Sequence, residues 1–340
     1  MTCSLLAKRR ALLLAALLLA PALAPAAGPV RLIFDTDMGN DVDDALALAM
    51  IHAFQSRGEA QLLAVTVTKD SRSAAPFVDL VNTFYGRPEI PVGVVKNGKT
   101  PNDTPMIRIP SERRTASGAY VYPHKLTDGA QAPDAVAVLR RTLAAQPDGS
   151  VTMVQVGFST NLARMLDSAP DAASPLPGAQ LVARKVRLLS AMAGHFPIGQ
   201  PEFNVDTDIP SARKVFAEWP SPMIFSGFEV GEALRFPAAC IEHDFSWAPD
   251  HPVAEAYRTY MRMPYDRPTW DLTAVLYAVR PGRGYFALSP EGRVAVDEKG
   301  QTHFTAALGG KRRYLILEDA QKARTLEALM LLASQPRERK

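Results

Sequence analysis

Short, β-rich, largely apolar runs recur along this chain, and between them lie segments with helix-spaced apolar residues. The runs cover residues 30–34, 62–68, 90–95, 151–156, 186–191 and 223–225; the helical segments cover 43–54, 75–85, 133–145, 161–166 and 211–217. A strand with one wet face alternates polar and apolar residues, whereas these runs are apolar on both faces, as strands of a parallel sheet covered by helices on each side must be. The alternation predicts an α/β fold with a doubly wound, mostly parallel sheet. Near the C-terminal end, 285–288, 293–296, 303–307 and 314–317, with turns at Gly300 and Gly309–Gly310, predict a small antiparallel β appendage closed by a helix over 320–332. Residues 96–128 are polar and rich in Gly and Pro, and read as a long excursion over the ligand side. Nothing resembling a repeat or a linker divides the remainder, so 28–340 are expected to form one domain.

Residues 1–27 read as a secretory signal peptide: Lys8-Arg9-Arg10, then an apolar stretch from Ala11 to Ala20, then small residues suited to cleavage near 24–27. The mature protein is therefore expected to be periplasmic or secreted. The segment carries three of the 38 basic residues and no acid, which leaves 35 basic against 35 acidic residues. A chain so close to neutral has no basic field with which to hold nucleic acid. Cys3 leaves with the leader and Cys240 remains alone, so no intramolecular disulfide is expected and stability rests on an ordinary core.

The densest chemistry lies at residues 35–44, Asp-Thr-Asp-Met-Gly-Asn-Asp-Val-Asp-Asp, where the first strand meets a helix expected to be amphipathic. Five carboxylates fall within these ten positions, with no Lys or Arg between Leu32 and Ser56. Like charges this close repel and raise one another's pKa. A hard divalent cation with oxygen ligands relieves that repulsion, and Ca²⁺ accepts several carboxylates at once. Helix capping accounts for one or two of these Asp residues, and a phosphatase-like loop with Mg²⁺ and a nucleophilic Asp35 or Asp37 is a further reading. Other segments end at the same side of the sheet: 154–161, 192–195, the alternating Glu202-Phe203-Asn204-Val205-Asp206, and Trp270-Asp271 at the start of an apolar helix.

With its Asp-Thr-Asp-x-Gly opening and closing Asp-Asp-Ala, the chain resembles the inosine–uridine-preferring nucleoside hydrolase family. Gly157…Thr160-Asn161-Leu162-Ala163, Lys185-Val186…Met192-Ala193-Gly194, Glu202-Phe203-Asn204, Ser211-Ala212…Val215-Phe216 and Asp271 follow in the family's order. The resemblance implies a nucleoside hydrolase-like fold with a Rossmann-like core, self-association, and hydrolysis of N-glycosidic bonds in ribonucleosides or related N-ribosides. It implies Ca²⁺ held by Asp37, Asp44, Asp271 and the carbonyl of Val156, with Asp37 as the base that activates water. The sugar falls to Glu202 and Asn204 with Asp41 or Asp43, between which spacing does not choose.

Three departures bear on chemistry. The acidic loop is two residues longer than the family's. Trp270 stands where purine-cleaving members place a His thought to protonate the leaving base; an indole stacks on a base but is no useful proton donor at neutral pH. Lys69 stands where a Gly-Asn is usual and is suited to a phosphate or carboxylate on the substrate. His195 is a candidate replacement acid or a plain surface histidine, Tyr257 and Tyr260 a pocket wall or a packed helix, and Asp206 and Asp208 helix caps. The rival functions are a ribosyl-binding protein without turnover and the Mg²⁺ phosphohydrolase.

Overall fold

A computed structural model describes residues 28–196 and 200–337, so the expected leader lies outside the described residues. The strands are β1 (Val30–Thr36), β2 (Ala60–Val67), β3 (Val92–Val94), β4 (Val151–Gln155), β5 (Val186–Met192), β6 (Met223–Ser226), β7 (Arg235–Phe236), β8 (Arg267–Pro268), β9 (Ala287–Leu288), β10 (Gly292–Val296), β11 (Thr302–Ala306) and β12 (Arg312–Ile316). Ten of them form one sheet in the order β3-β2-β1-β4-β5-β6-β12-β10-β11, with β9 pairing β12. From β3 to β12 every neighbouring pair is parallel. The order reverses at β1, which pairs β2 on one side and β4 on the other, and such a reversal opens a crevice at the carboxyl ends of the strands.

Alternation along β1 shows why these runs are apolar on both faces. Leu32 and Phe34 enter the core on one side of the sheet and Ile33 the core on the other, all at 0% exposure. The first core takes in the helices Asp43–Ser56, Ala74–Phe84 and Trp270–Val279; the second takes in Ala135–Ala144, Thr160–Asp167 and Ile209–Glu218. The helix Asp43–Ser56 is not amphipathic as expected: it is buried from Asp43 through Phe54, packed by Trp270–Val279 and the last helix, Asp319–Ala333. Leu46, Leu48, Met50 and Ile51 are each fully buried there, and each such side chain is worth about 1.5–3 kcal/mol relative to exposure.

The expected antiparallel strands near the C-terminal end are β9, β10 and β11, and β12 joins them to the main sheet by pairing β6 in parallel. One further expectation changes. The stretch 202–206 is not extended; Phe203–Thr207 is helical and Glu202 caps it, accepting from the backbone N–H groups of Asn204 and Val205. Asp206 therefore does not share a face with Glu202 and Asn204; those two are buried and Asp206 is exposed. The excursion 96–128 contributes the helix Pro105–Glu112, whose Ile107 is fully buried and whose N-cap Thr104 donates to Gly39 O at 2.7 Å.

Candidate functional site

The chain leaves β1 at Thr36 and turns at once, Asn40 N donating to Asp37 O at 3.1 Å. Gly39 takes φ +110° in this turn, a backbone conformation that requires glycine, and a Cβ there would lie 2.5 Å from Ile107 Cδ1 and press on that side chain. Asn40 and Asp41 each have a defined place in this loop. Asp41 swings outward into a bidentate ion pair with Arg267, Nε at 2.9 Å from one oxygen and Nη2 bonded to the other. Lys69 anchors the other flank, its ammonium donating to Asn40 Oδ1 at 2.8 Å and Thr100 O at 3.2 Å. Lys69 is thus a strut inside the protein, not the substrate contact suggested by its position in the sequence.

The helix that follows presents Asp43 and Asp44 in its first turn, where the helix dipole favours carboxylates. Asp271, in the first turn of Trp270–Val279, faces them, and its backbone N–H donates to Asp43 Oδ2 at 3.0 Å. Asp43, Asp44 and Asp271 each bring an oxygen into a group whose members all lie within 4.8 Å of one another. Thr36 Oγ1 donates to Asp44 Oδ1, while Asp44 Oδ2 is buried without a hydrogen-bond partner. At the end of β4, Val156 O accepts from Asn204 Nδ2 at 2.8 Å, which holds this amide against the strand ends. Glu202 is fixed by backbone donors, Gly194 N at 3.0 Å and Asn204 N at 2.8 Å among them.

A cavity of about 310 Å³ joins these groups, within the range of small-ligand sites. Asp37, Asp41, Asp43, Asp44, Val156, Glu202, Asn204, Trp270 and Asp271 all line it. His195 does not; its ring lies 5.4 Å from that of Phe228, and its backbone N–H bonds Thr302 Oγ1. Asp35 is also outside, fully buried behind the loop with its carboxylate bonded by Thr66 and Asn161. Asp208 occupies the N-cap position of Ile209–Glu218, but its side chain makes no capping hydrogen bond; it is buried and accepts from Thr160 Oγ1 at 2.5 Å. Tyr260 is a wall of the cavity, whereas Tyr257 packs in the core and donates to Tyr265 O.

Two lining residues escaped sequence reasoning. Arg267 carries no motif and owes its place to the small β7–β8 ladder. Phe228 could have been found, since it follows the carboxyl end of β6 just as the other site segments follow their own strands.

Burial dominates the electrostatics. It pushes Asp43, Asp44 and Asp271 well above the ordinary carboxylate range, and their mutual repulsion adds to the effect. Burial likewise lifts Asp37 to about 6, against the opposing hydrogen bond from Asn40, and Glu202 to about 7. A buried, partnerless carboxylate oxygen amid three other strained carboxyls suits a hard divalent cation, which would be held by oxygen alone. Asp43, read from the sequence as a sugar contact, belongs geometrically to this group as well.

Fold and site together define a class: α/β proteins with a carboxylate-dense cavity at the switch point of a parallel sheet. Comparison with known sequences then gives the family. The inosine-uridine preferring nucleoside hydrolase profile matches residues 32–328, and the chain belongs to that family, whose members are metal-dependent N-glycosyl hydrolases. Among curated proteins, an uncharacterized protein of Schizosaccharomyces pombe is 29% identical over 209 residues, a match that spans 55% of this chain and 58% of that protein. Among solved structures, the inosine-uridine preferring nucleoside hydrolase of Bacillus anthracis superposes with a TM-score of 0.65 at 18% identity, covering 90% of this chain and 99% of that one. The purine-preferring ribonucleoside hydrolase of Gardnerella vaginalis gives 0.64 at 18% identity, covering 89% and 98%. The type III effector XopQ, solved with adenosine diphosphate ribose, gives 0.63 at 18% identity, covering 91% and 94%. At such identities the likeness establishes the fold.

Proposed function

We propose that this chain is a Ca²⁺-dependent hydrolase of the N-glycosidic bond in ribonucleosides or related N-ribosides, working outside the cytoplasm once residues 1–27 are removed. The observation that carries the reading is the convergence of Asp37, Asp43, Asp44 and Asp271 with Glu202 and Asn204 on one cavity. The described lining has no His or Cys, so its metal donors are oxygens, and Ca²⁺ tolerates such a crowded carboxylate set better than Mg²⁺, which demands a small octahedral shell. Asp37, Asp44, Asp271 and the carbonyl of Val156 would hold the cation, with Asp43 beside them; its charge acidifies nearby water and offsets the carboxylate repulsion.

The protein's own groups do the rest. Asp37 takes a proton from the attacking water, its Oδ2 oriented by the hydrogen bond that Asn40 Nδ2 donates at 2.8 Å. Glu202, whose oxygens already accept backbone N–H bonds, keeps lone pairs for sugar hydroxyls, and Asn204 is held rigidly beside it. Asp41 is occupied by Arg267, which favours Asp43 over Asp41 as the third sugar contact. The surrounding negative charge stabilises the oxocarbenium character that develops at the anomeric carbon.

A second reading draws on Trp270, whose indole N–H donates to Phe228 O at 2.9 Å and is thereby removed from leaving-group chemistry. A protein that binds a ribosyl group without cleaving it fits that observation. Purified mature protein, assayed for free ribose from inosine and uridine with Ca²⁺ or with chelator, separates the two. Ribose that appears only with Ca²⁺ and is lost in Asp37→Asn supports the hydrolase. Stabilisation by Ca²⁺ and ribose with no release supports the binder.

A further inference from the structure

Lys69 stops one amide short of the base. Asn40 Oδ1 accepts from the Lys69 ammonium at 2.8 Å. The other end of the same amide, Nδ2, donates to Asp37 Oδ2 at 2.8 Å and to Thr100 Oγ1 at 3.2 Å. Thr100 closes the arrangement with its carbonyl, which takes a second N–H of Lys69 at 3.2 Å. Both N–H groups of the Asn40 amide and its oxygen are therefore in use.

The two ends of an Asn amide are alike in shape, and only the chemistry of their neighbours tells them apart. An ammonium can only donate and an ionised carboxylate can only accept. Turned over, the amide would set Nδ2 against Lys69, donor facing donor, and Oδ1 against Asp37, acceptor facing acceptor. Lys69 and Asp37 thus admit a single orientation. Lys69 is 2% exposed, and the hydrogen bonds its ammonium donates end on neutral oxygens. Burying a charge without an opposite partner is costly, and the best-attested reason for keeping such a group is that it specifies one arrangement of its neighbours. The segment bearing Thr100 is itself tied to the residues that follow β2, Gly98 N donating to Asp70 Oδ2 at 3.1 Å and Ser73 N to Asp103 Oδ1 at 2.9 Å. Asn40 is held between these fixed points and the base.

We propose that Lys69 is a positioning residue for Asp37: through the Asn40 amide it fixes the orientation of the carboxylate that takes the proton from water. Lys69 does not line the cavity, whereas Asn40 does, so the effect passes through Asn40. The amide N–H occupies one lone pair of Asp37 Oδ2 and sets the plane of the carboxylate, and a misplacement of about 1 Å at a reacting group can cost roughly 100-fold in rate. The proposal deepens the hydrolase reading and rests on it.

The test measures kcat and KM for ribose release from inosine and uridine by the Ca²⁺-saturated mature protein, well below its melting temperature. Wild type is compared with Lys69→Met, Asn40→Ala, their double variant and Asn40→Asp. Lys69→Met and Asn40→Ala should each lower kcat roughly tenfold or more. In the Asn40→Ala background, Lys69→Met should cost no further kcat, because both changes cut one chain. Asn40→Asp gives Lys69 a carboxylate to pair with but replaces the donor to Asp37 by a second acceptor. It should keep its melting temperature and lose at least as much kcat as Asn40→Ala. A readout free of turnover and of metal is exchange of the Asn40 side-chain N–H pair in ¹⁵N-labelled protein, the pair being identified by its loss in Asn40→Ala. That exchange should be slow in wild type and fast in Lys69→Met. Wild-type kcat in Lys69→Met, with only KM and melting temperature moved, would mark an ordinary strut and overturn the proposal. Losses that multiply in the double variant, or equal exchange in wild type and Lys69→Met, would overturn it too. Should Lys69→Met fail to fold, wild-type kcat in Asn40→Asp decides against it. No ribose from wild type would instead sink the hydrolase reading, and the proposal with it.

Discussion

Asp271 acts at a distance in sequence from the acidic loop, yet it supplies both an oxygen to the carboxylate group and a backbone N–H to Asp43. Asp271→Ala is expected to abolish stabilisation by Ca²⁺ and to lower kcat/KM by roughly 100-fold or more, the cost of losing one electrostatic contact to the transition state. A variant that kept full activity would refute the site. The same carboxyls predict a pH dependence. Asp37 rises from 3.8 to about 6 on folding, and burial also raises Asp43, Asp44 and Asp271 well above the ordinary carboxylate range. Raised folded values mean that these groups bind more protons in the metal-free protein than in the unfolded chain, so their contribution to stability is largest in acid and is lost as pH climbs from about 4 through 6 and beyond. A cation binds the deprotonated set and cancels that loss. The melting-temperature difference between Ca²⁺ and chelator should therefore widen from pH 5 to pH 8. His52 and His251, both held down to about 3 by burial, shift stability the opposite way in the two samples alike and drop out of the difference. A difference that stayed flat or narrowed would count against cation binding at these carboxyls.

At the level of single elements, the acidic loop depends on neighbours that bring no chemistry of their own. Lys69→Met leaves Asn40 Oδ1 and Thr100 O without their donor, at a cost of about 1–3 kcal/mol. Denaturant unfolding should register that loss, and KM should rise as Asn40 loosens at the cavity wall. Gly157→Ala should be worse for activity, because its Cβ would sit 2.5 Å from both Asp37 N and Thr68 Oγ1 and push the base out of place. An Asp37-dependent rate that survived this change would show that the turn has slack. Elements also mark how far the sequence could be read. The six buried strands followed from apolar runs, and strand-end logic brought the segments near 156, 202–204 and 271 into view, while the family resemblance joined them to 35–44. The alternation at 202–206 misled, because over five residues a period of two and an N-cap followed by one helical turn place the same residues inward. The partner of β12 was illegible for another reason: its neighbour β6 lies some ninety residues earlier, and local patterning carries no trace of a pairing that distant.

For the whole molecule, the helix bearing Asp43 and Asp44 is gripped between the sheet, the helix bearing Asp271, and the last helix. Rigid backing of this kind keeps carboxylates together that would otherwise spring apart. Leu329, fully buried in the last helix, is a remote test: Leu329→Ala should destabilise by about 2–5 kcal/mol through its cavity. Well below the new melting temperature, activity per folded molecule should be nearly unchanged; a collapse of kcat there would mean that the last helix tunes the site as well as supporting it. The place of β12 has a consequence for how the protein is made. During synthesis β6 has no outer neighbour until Arg312–Ile316 emerges, and the helix carrying two site carboxylates lacks its cover until Asp319–Ala333 follows. A nascent chain can lay down the first six strands on the ribosome, but it covers the edge of β6 only once Arg312–Ile316 has emerged. A message truncated before codon 312 would thus yield a sheet with the edge of β6 bare, and its fate would be aggregation or proteolysis rather than a smaller working enzyme.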